Sequence, residues 1–136
     1  MTLQFSDAVR NGMLDSIETT ISTSAVLKIR TGAAPANIAT ADSGTVLATI
    51  NLPSDWMDAA ASGAKAKAGT WSDSSADASG DAGHFRIYAT DGTTKHIQGT
   101  VTAVGGGGDM TLTGGIAIVA TQAVTVAAFT LTCGNP

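Results

Sequence analysis

The spacing of apolar residues changes period once along the chain. In "SDAVRNGMLDSIETTI", Val9, Met13, Leu14, Ile17 and Ile21 recur three and four residues apart. That spacing draws one apolar stripe down a helix. Ser6 is a suitable N-cap, because its hydroxyl can accept a backbone N–H that the first turn leaves free. Asp7 falls in the first turn, where the helix dipole favours negative charge. Arg10, Asp15 and Glu18 lie off the stripe. The pattern predicts a helix over residues 7–21. Gly12 weakens it by about 1 kcal/mol relative to Ala, or marks a close approach. A helix with one apolar stripe has to dock on the sheet below or on a neighbouring subunit.

After Thr23 the period becomes two. "AVLKIRTG" sets Ala25, Leu27 and Ile29 against Val26, Lys28 and Arg30, a half-buried strand. "GAAPANIATADSG" reads as a loop. "TVLATINLP" is a second strand that Pro53 ends by removing a ladder donor. "SDWMDAAASG" predicts a short helical turn capped by Ser54, and "AKAKAGTW" a strand. "SDSSADASGDAG" has almost no apolar mass and predicts a mobile loop.

The next segment, "HFRIYATDGTTKHIQGTVTAV", has two alternating runs around Asp91-Gly92, a strong turn dipeptide. A two-residue loop would mix buried with exposed positions on both faces. A loop of three or five residues sets Ile87 opposite Ile97 and Phe85 opposite Gly99. A one-residue slip moves every side chain to the other face, so the hydrophobic pattern outweighs the dipeptide. In this register His84 faces Thr100 and His96 faces Tyr88 on the polar side. "DMTLTGG" predicts a short strand. In "QAVTVAAFTLTC", Val124 and Val126 are out of phase with Phe129 and Leu131, and a bulge near Ala127-Ala128 restores one buried face. Seven or eight short strands behind one helix predict a mainly β chain. The expected architecture is an antiparallel β-sandwich or jelly-roll-like barrel with one N-terminal α-helix.

Composition narrows the function. The 136 residues suit a single domain spanning the whole chain. Aromatic residues are 4% of the chain, so Ala, Val, Ile and Leu must carry most of the packing. Charged residues are 13%, about half the ordinary share, so the surface either stays uncharged or is partly covered by a partner. The net charge is −4, and Lys28, Arg30, Lys65, Lys67, Arg86 and Lys95 are scattered. Nucleic-acid binding needs basic residues clustered against phosphates, so no nucleic-acid partner is expected. Cys133 is the only cysteine, which excludes an internal disulfide and a cysteine-based zinc cluster. The first residues lack a signal-peptide pattern. "IAIVATQAVTVAAF" is broken by Thr121, Gln122 and Thr125 and is shorter than the roughly 20 residues of a membrane span. No membrane partner is expected, and synthesis is expected in a cytoplasm.

Candidate chemistry adds little. "GGGGDM" lacks the Lys of a phosphate-binding loop and the following helix of a dinucleotide fold. Gly105 to Gly108 read as a strand-to-strand turn that takes positive φ at no steric cost. Asp73, Asp77 and Asp81 lack the spacing and the closing Glu of a calcium loop. His84 and His96 stand four residues apart along the ladder, about 13 Å, too far to share an ion. A hydrolase built on the acidic loop lacks a matched acid–base pair. No catalytic, cofactor-binding or metal-binding residue is assigned. Trp56 and Trp71 are either core plugs or, with Met57, interface anchors. His84, Arg86, Tyr88, His96 and Gln98 form a polar face and complete the interface candidates.

Taken together, "FSDAVRNGMLDSIETTI", "LKIRTGAAPAN", "LPSDWM", "AGTW", "GHFRIY" and "HIQGTVTAVGGGGDMTL" resemble a small virion protein of tailed bacteriophages and prophages, over nearly the whole chain. The resemblance implies a particle component, foremost a capsid cement or decoration protein. Its implied partners are the major capsid protein and copies of itself in a homo-oligomer on the capsid surface. The alternative is a tail-tip or tail-fibre protein whose polar face meets a receptor or glycan.

Overall fold

The computed structural model describes residues 2–135. The chain is mainly β, with one N-terminal helix and a mixed sheet curled into a half-barrel. Helix α1 spans Asp7–Ile21, and the Ser6 side chain accepts the Val9 N–H at its start. Nine strands follow: β1 (Val26–Thr31), β2 (Val46–Asn51), β3 (Ala64–Ala66), β4 (Ser72–Asp73), β5 (Gly80–Tyr88), β6 (Lys95–Ala103), β7 (Met110–Leu112), β8 (Ala117–Ile118) and β9 (Val124–Thr132). The sheet order is β2-β1-β5-β6-β7-β9-β3, with β4 also on β9 and β8 on β5. The two-residue strands β4 and β8 take the count past the expected seven or eight.

All pairings are antiparallel except β6 with β7. Parallel neighbours ordinarily need a crossover of a dozen or more residues. Here residues 104–109 make the return, and the glycine run makes it possible. Gly105 and Gly107 have φ of +86° and +77°. A Cβ on Gly106 or Gly108 would come within 2.7 or 2.8 Å of the Thr102 side chain. The run is a tight reversal packed on Thr102.

The β5–β6 register places Ile87 opposite Ile97, Phe85 opposite Gly99 and His84 opposite Thr100, as the pattern requires. The route to it differs from the expected odd loop. Ala89 N–H donates to Thr94 O at 2.9 Å, which leaves a four-residue loop. The register then shifts by one between Ile87 and Tyr88, so Tyr88 pairs with Lys95. His96 is the extra residue of a bulge and does not face Tyr88. An even loop plus one bulge gives the same register as an odd loop. In β9 the shift falls between the partners of Thr111 and Leu112 and leaves Ala127 unpaired. Val124, Val126 and Phe129 are consequently all buried, which is the bulge the sequence predicts.

Two local expectations are corrected. The segment 54–63 is not a helical turn, because its backbone groups bond elsewhere. Asp58 N–H donates to Ala66 O, and the Trp56 and Met57 N–H groups donate to the Glu18 carboxylate. The acidic segment 72–83 is an ordered connection with Ala76 buried. Asp77 N–H donates to Leu47 O at 2.8 Å. Asp73 accepts the Thr49 N–H at 3.1 Å and Asp77 accepts the Thr49 hydroxyl at 2.9 Å. This loop ties the β2 edge to β4 and so joins the two ends of the half-barrel.

The core holds four of the six aromatic residues. Trp56 and Trp71 are 6.0 Å apart, Trp71 and Phe129 5.5 Å, and Phe129 and Phe85 5.5 Å. Tyr88 is buried on the opposite face of β5 from Phe85. Leu14 and Ile21 of α1 are buried, with Ile17 packed against the core. Val9 and Met13 stay 47% and 40% exposed. The predicted stripe therefore docks on the chain's own sheet over its second half only.

Candidate functional site

The polar face of β1, β5 and β6 carries most of the basic charge. Lys28 and Arg30 project from β1, Arg86 from β5 and Lys95 from β6, four of the seven basic residues in the chain. The segment 32–44 lies across this face as a strap, and Arg86 is the rivet that holds it. Arg86 is fully buried. Its Nε and Nη2 donate to Gln98 Oε1 at 3.1 and 2.8 Å. Its Nη1 donates to Asp42 Oδ1 at 2.6 Å and Thr40 O at 2.9 Å, and Nη2 to Asn37 O at 3.2 Å. A guanidinium has five N–H donors, and all five are in use.

Asp42 supplies the carboxylate for the whole cluster. It accepts the Tyr88 hydroxyl at 3.0 Å and Arg30 Nη2 at 3.2 Å. Burial works against its charged form. The hydrogen bonds from Arg86 and Tyr88 and the charge of Arg30 outweigh that, and its pKa falls below the ordinary value. Burial, aided by the bond to Asp42, pushes the Tyr88 hydroxyl up. Gln98 Nε2 donates to Pro35 O at 2.8 Å, Lys95 Nζ to Thr40 O at 3.2 Å, and the Lys28 ammonium stands 4.9 Å from the centre of the Tyr88 ring. The His84 ring Nδ1 is 2.8 Å from Gly32 O.

These positions correct the expected interface set. His84, Arg86 and Tyr88 are each 0% exposed, so they offer no surface to a glycan or a partner. Gln98 is half-buried in the same network. His96 leaves that face through its bulge and lies beside α1 with Ile17, Thr20 and Leu131. Trp56, Met57 and Trp71 are buried in the core, where both indoles donate to backbone carbonyls, of Ser22 and Ala68. The core-plug reading of the tryptophans is the one that holds.

A second polar cluster fastens α1. Lys65 is 4% exposed and donates to Asp15 Oδ1 at 2.7 Å and Asp58 O at 2.9 Å, with Glu18 Oε2 at 3.1 Å. The other Glu18 oxygen accepts the N–H groups of Trp56 and Met57, both at 3.1 Å. The Lys65 hydrogen bond and the Ala60 N–H lower the Asp15 pKa. Burial opposes the Lys65 charge, but its bonds to Asp15 and Glu18 prevail and raise its pKa. An open cleft of about 660 Å³ runs along this cluster, lined also by Ser54 and Asp55. Within it Asp15, Glu18 and Lys65 are engaged with one another.

The remaining sequence candidates serve the fold as well. Gly108 N–H donates to Thr102 Oγ1 at 3.0 Å, and the Asp109 carboxylate accepts both the N–H and the hydroxyl of Thr100 at 2.8 Å. The Thr100 N–H, then its hydroxyl, lower the Asp109 pKa. The run is thus tied back to β6 through Thr100 and Thr102. Among the described residues no three His, Cys, Asp or Glu side chains converge as a metal site. The free Cys133 is half-buried, and its carbonyl accepts Arg10 Nη1 at 3.0 Å. Sequence reasoning missed the strap and the Lys65 cluster that fastens α1. The usable signal was Asp42, an acid inside an otherwise uncharged loop beside a strand pair carrying Arg30 and Arg86.

Several large apolar side chains remain on the surface. Leu3, Phe5, Val9 and Met13 are exposed at the start of α1, and Val104 and Val119 on loops. No family model, curated protein or solved structure matches this chain.

Proposed function

We propose that this chain is a non-enzymatic structural protein of a tailed-phage particle, a cement or decoration protein that contacts the major capsid protein and its own copies. The observation that carries the reading is how the side chains are spent. Arg30, Arg86, Lys65, Asp15, Glu18 and Asp42 hold the chain's own segments together. The outside is left with scattered aspartates such as Asp7, Asp55, Asp58 and Asp81 among small uncharged residues, and with the exposed apolar side chains Leu3, Phe5, Val9 and Met13. Contiguous exposed apolar surface on a chain of this size marks contact with another macromolecule. The tail-fibre alternative relied on the polar face of β5 and β6, which the strap covers.

Cryo-electron microscopy of the particle tests the assignment. The expected result is ordered density for this chain on the outer head shell, and a head shell without it rejects the head assignment. Co-sedimentation with empty shells of the major capsid protein gives a second readout, and it should weaken when Val9 and Met13 are changed together to Asp.

A further inference from the structure

Strand β7 is only three residues long, and it leaves a slot in the sheet. It pairs with Val101, Thr102 and Ala103 of β6 and with Val126, Ala128 and Phe129 of β9. Beyond it, among the described residues, no strand pairs with β6 over 95–99 or with β9 over 130–132 on the sides that face each other. Strands that flank a third lie about 10 Å apart, the width of one further strand. Thr100 N–H turns away from β5 to the Asp109 carboxylate, and by alternation the backbone groups of Gln98 point into the same gap. The slot holds about 290 Å³ and is lined by Ile17, Thr20 and Ile21 of α1, His96 and Ile97 of β6, and Leu131 of β9. Nothing in that lining carries a fixed charge.

The chain also displays a segment of matching character. Thr2–Phe5 precede α1 outside any element, are uncharged, and alternate polar with apolar. Leu3 is 70% and Phe5 38% exposed. Phe5 already shows its backbone as a strand would: the Asn135 side-chain amide accepts its N–H at 2.8 Å and donates to its C=O at 2.9 Å. The arm cannot fill the slot of its own chain. Four extended residues reach about 13 Å, whereas Ile17 lies eleven residues up the helix from Ser6, about 16 Å away, and the arm starts at the far end.

We propose that the arm at residues 2–5 of one copy enters the β6/β9 slot of the next copy as an added strand, with Leu3 and Phe5 toward Ile17, Ile97 and Leu131. Main-chain bonds to two open edges and apolar pockets at alternate positions are the terms of strand addition. Because arm and slot are different surfaces, copies either pass the contact on in rings or rows or exchange arms reciprocally in a pair. This deepens the particle-component reading by naming a partner. Its failure is distinguishable from the failure of that reading, because it is measured by self-association in solution without any particle.

Sedimentation of the full chain over about 10 µM to 1 mM should show mass rising with concentration. L3D/F5D removes the apolar arm, and T20R blocks the slot at an exposed helix position. Each should raise the dissociation constant at least tenfold. A 1:1 mixture should recover association and stop at a dimer, since one variant keeps the slot and the other keeps the arm. If L3D/F5D misfolds by circular dichroism, deletion of residues 2–4 gives the same readout. A wild-type chain that stays monomeric throughout, or a mixture that shows no recovery, overturns the proposal.

Discussion

Replacing Arg86 with Met removes the rivet beneath the strap while keeping most of the buried volume. Five donated bonds disappear, those to Asn37 O, Thr40 O, Asp42 and twice to Gln98. The acceptors do not suffer equally. Thr40 O keeps Lys95, and Asp42 keeps Tyr88 and Arg30. Asn37 O keeps the Thr40 N–H, while Gln98 Oε1 loses its partner. Bonds to charged groups contribute about 1.5–3 kcal/mol, and an orphaned buried acceptor costs about 1–3 kcal/mol. Breaking a fully buried ion pair costs about 3–5 kcal/mol, an upper figure here because Asp42 is partly exposed and keeps other partners. The expected loss is about 2–4 kcal/mol. At roughly 2.1 cal/mol/K per residue, the chain unfolds with an entropy of about 290 cal/mol/K, so Tm should fall by about 7–14 °C. Arg86→Lys keeps the charge but not the fork, and should fall between the two. Calorimetry gives the size, and amide exchange locates it: the amides of residues 37–42 should exchange faster than the global loss accounts for. A loss under about 1 kcal/mol, or exchange accelerated evenly over the sheet, would refute the rivet.

Further outcomes follow from other parts of the fold. Gly12→Ala should stabilise the chain by about 0.5–1 kcal/mol, because a Cβ there meets nothing within 4 Å; a lower midpoint in urea would mean a contact on that face. Lys65→Met should cost about 1–3 kcal/mol and loosen α1, read as faster exchange at Trp56 and Met57. Asp42 and Asp109 have pKa values lowered in the folded state, so their stabilisation is complete above the ordinary carboxylate range near 4. It is lost as pH falls through their folded values. Lys65 and Tyr88 have raised values, so their contribution is present below about pH 10 and lost above it. A urea-midpoint profile should therefore fall at both ends, and Tyr88→Phe should flatten part of the alkaline limb. Deleting Ala127 should turn Phe129 and Leu131 out of the buried face, and a variant that still melts at the wild-type temperature would contradict the bulge.

The parts of the fold legible in the sequence are those governed by local periodicity. The α1 boundaries, the Ile87–Ile97 register and the β9 bulge all follow from which residues must share a face. Two features were hidden because they depend on distant partners. The strap exists because Asp42 meets Arg30 and Arg86, which alternation alone places on a solvent face. The segment 54–63 avoids a helical turn because Glu18, some forty positions earlier, takes its N–H groups. The candidate site was less legible still. His84, Arg86 and Tyr88 were rightly grouped on one face, but a loop with no apolar run gave no sign that it would cover them. Exposed Val9 and Met13 sit on the same stripe as buried Leu14 and Ile21, and only the sheet's extent decides which end is left over.

The position of β9 bears on how the chain is made. Translation delivers the amino-terminal parts first, yet this last strand lies between β7 and the β3/β4 pair. Until residues 124–132 leave the ribosome, Trp71 and Met110 have no neighbour across the gap, and the cavity they line stays open to water. A prematurely terminated product therefore exposes its largest side chains and becomes a substrate for proteolysis. Closure of the core thus waits on residues 124–132, the segment of the fold that is made last.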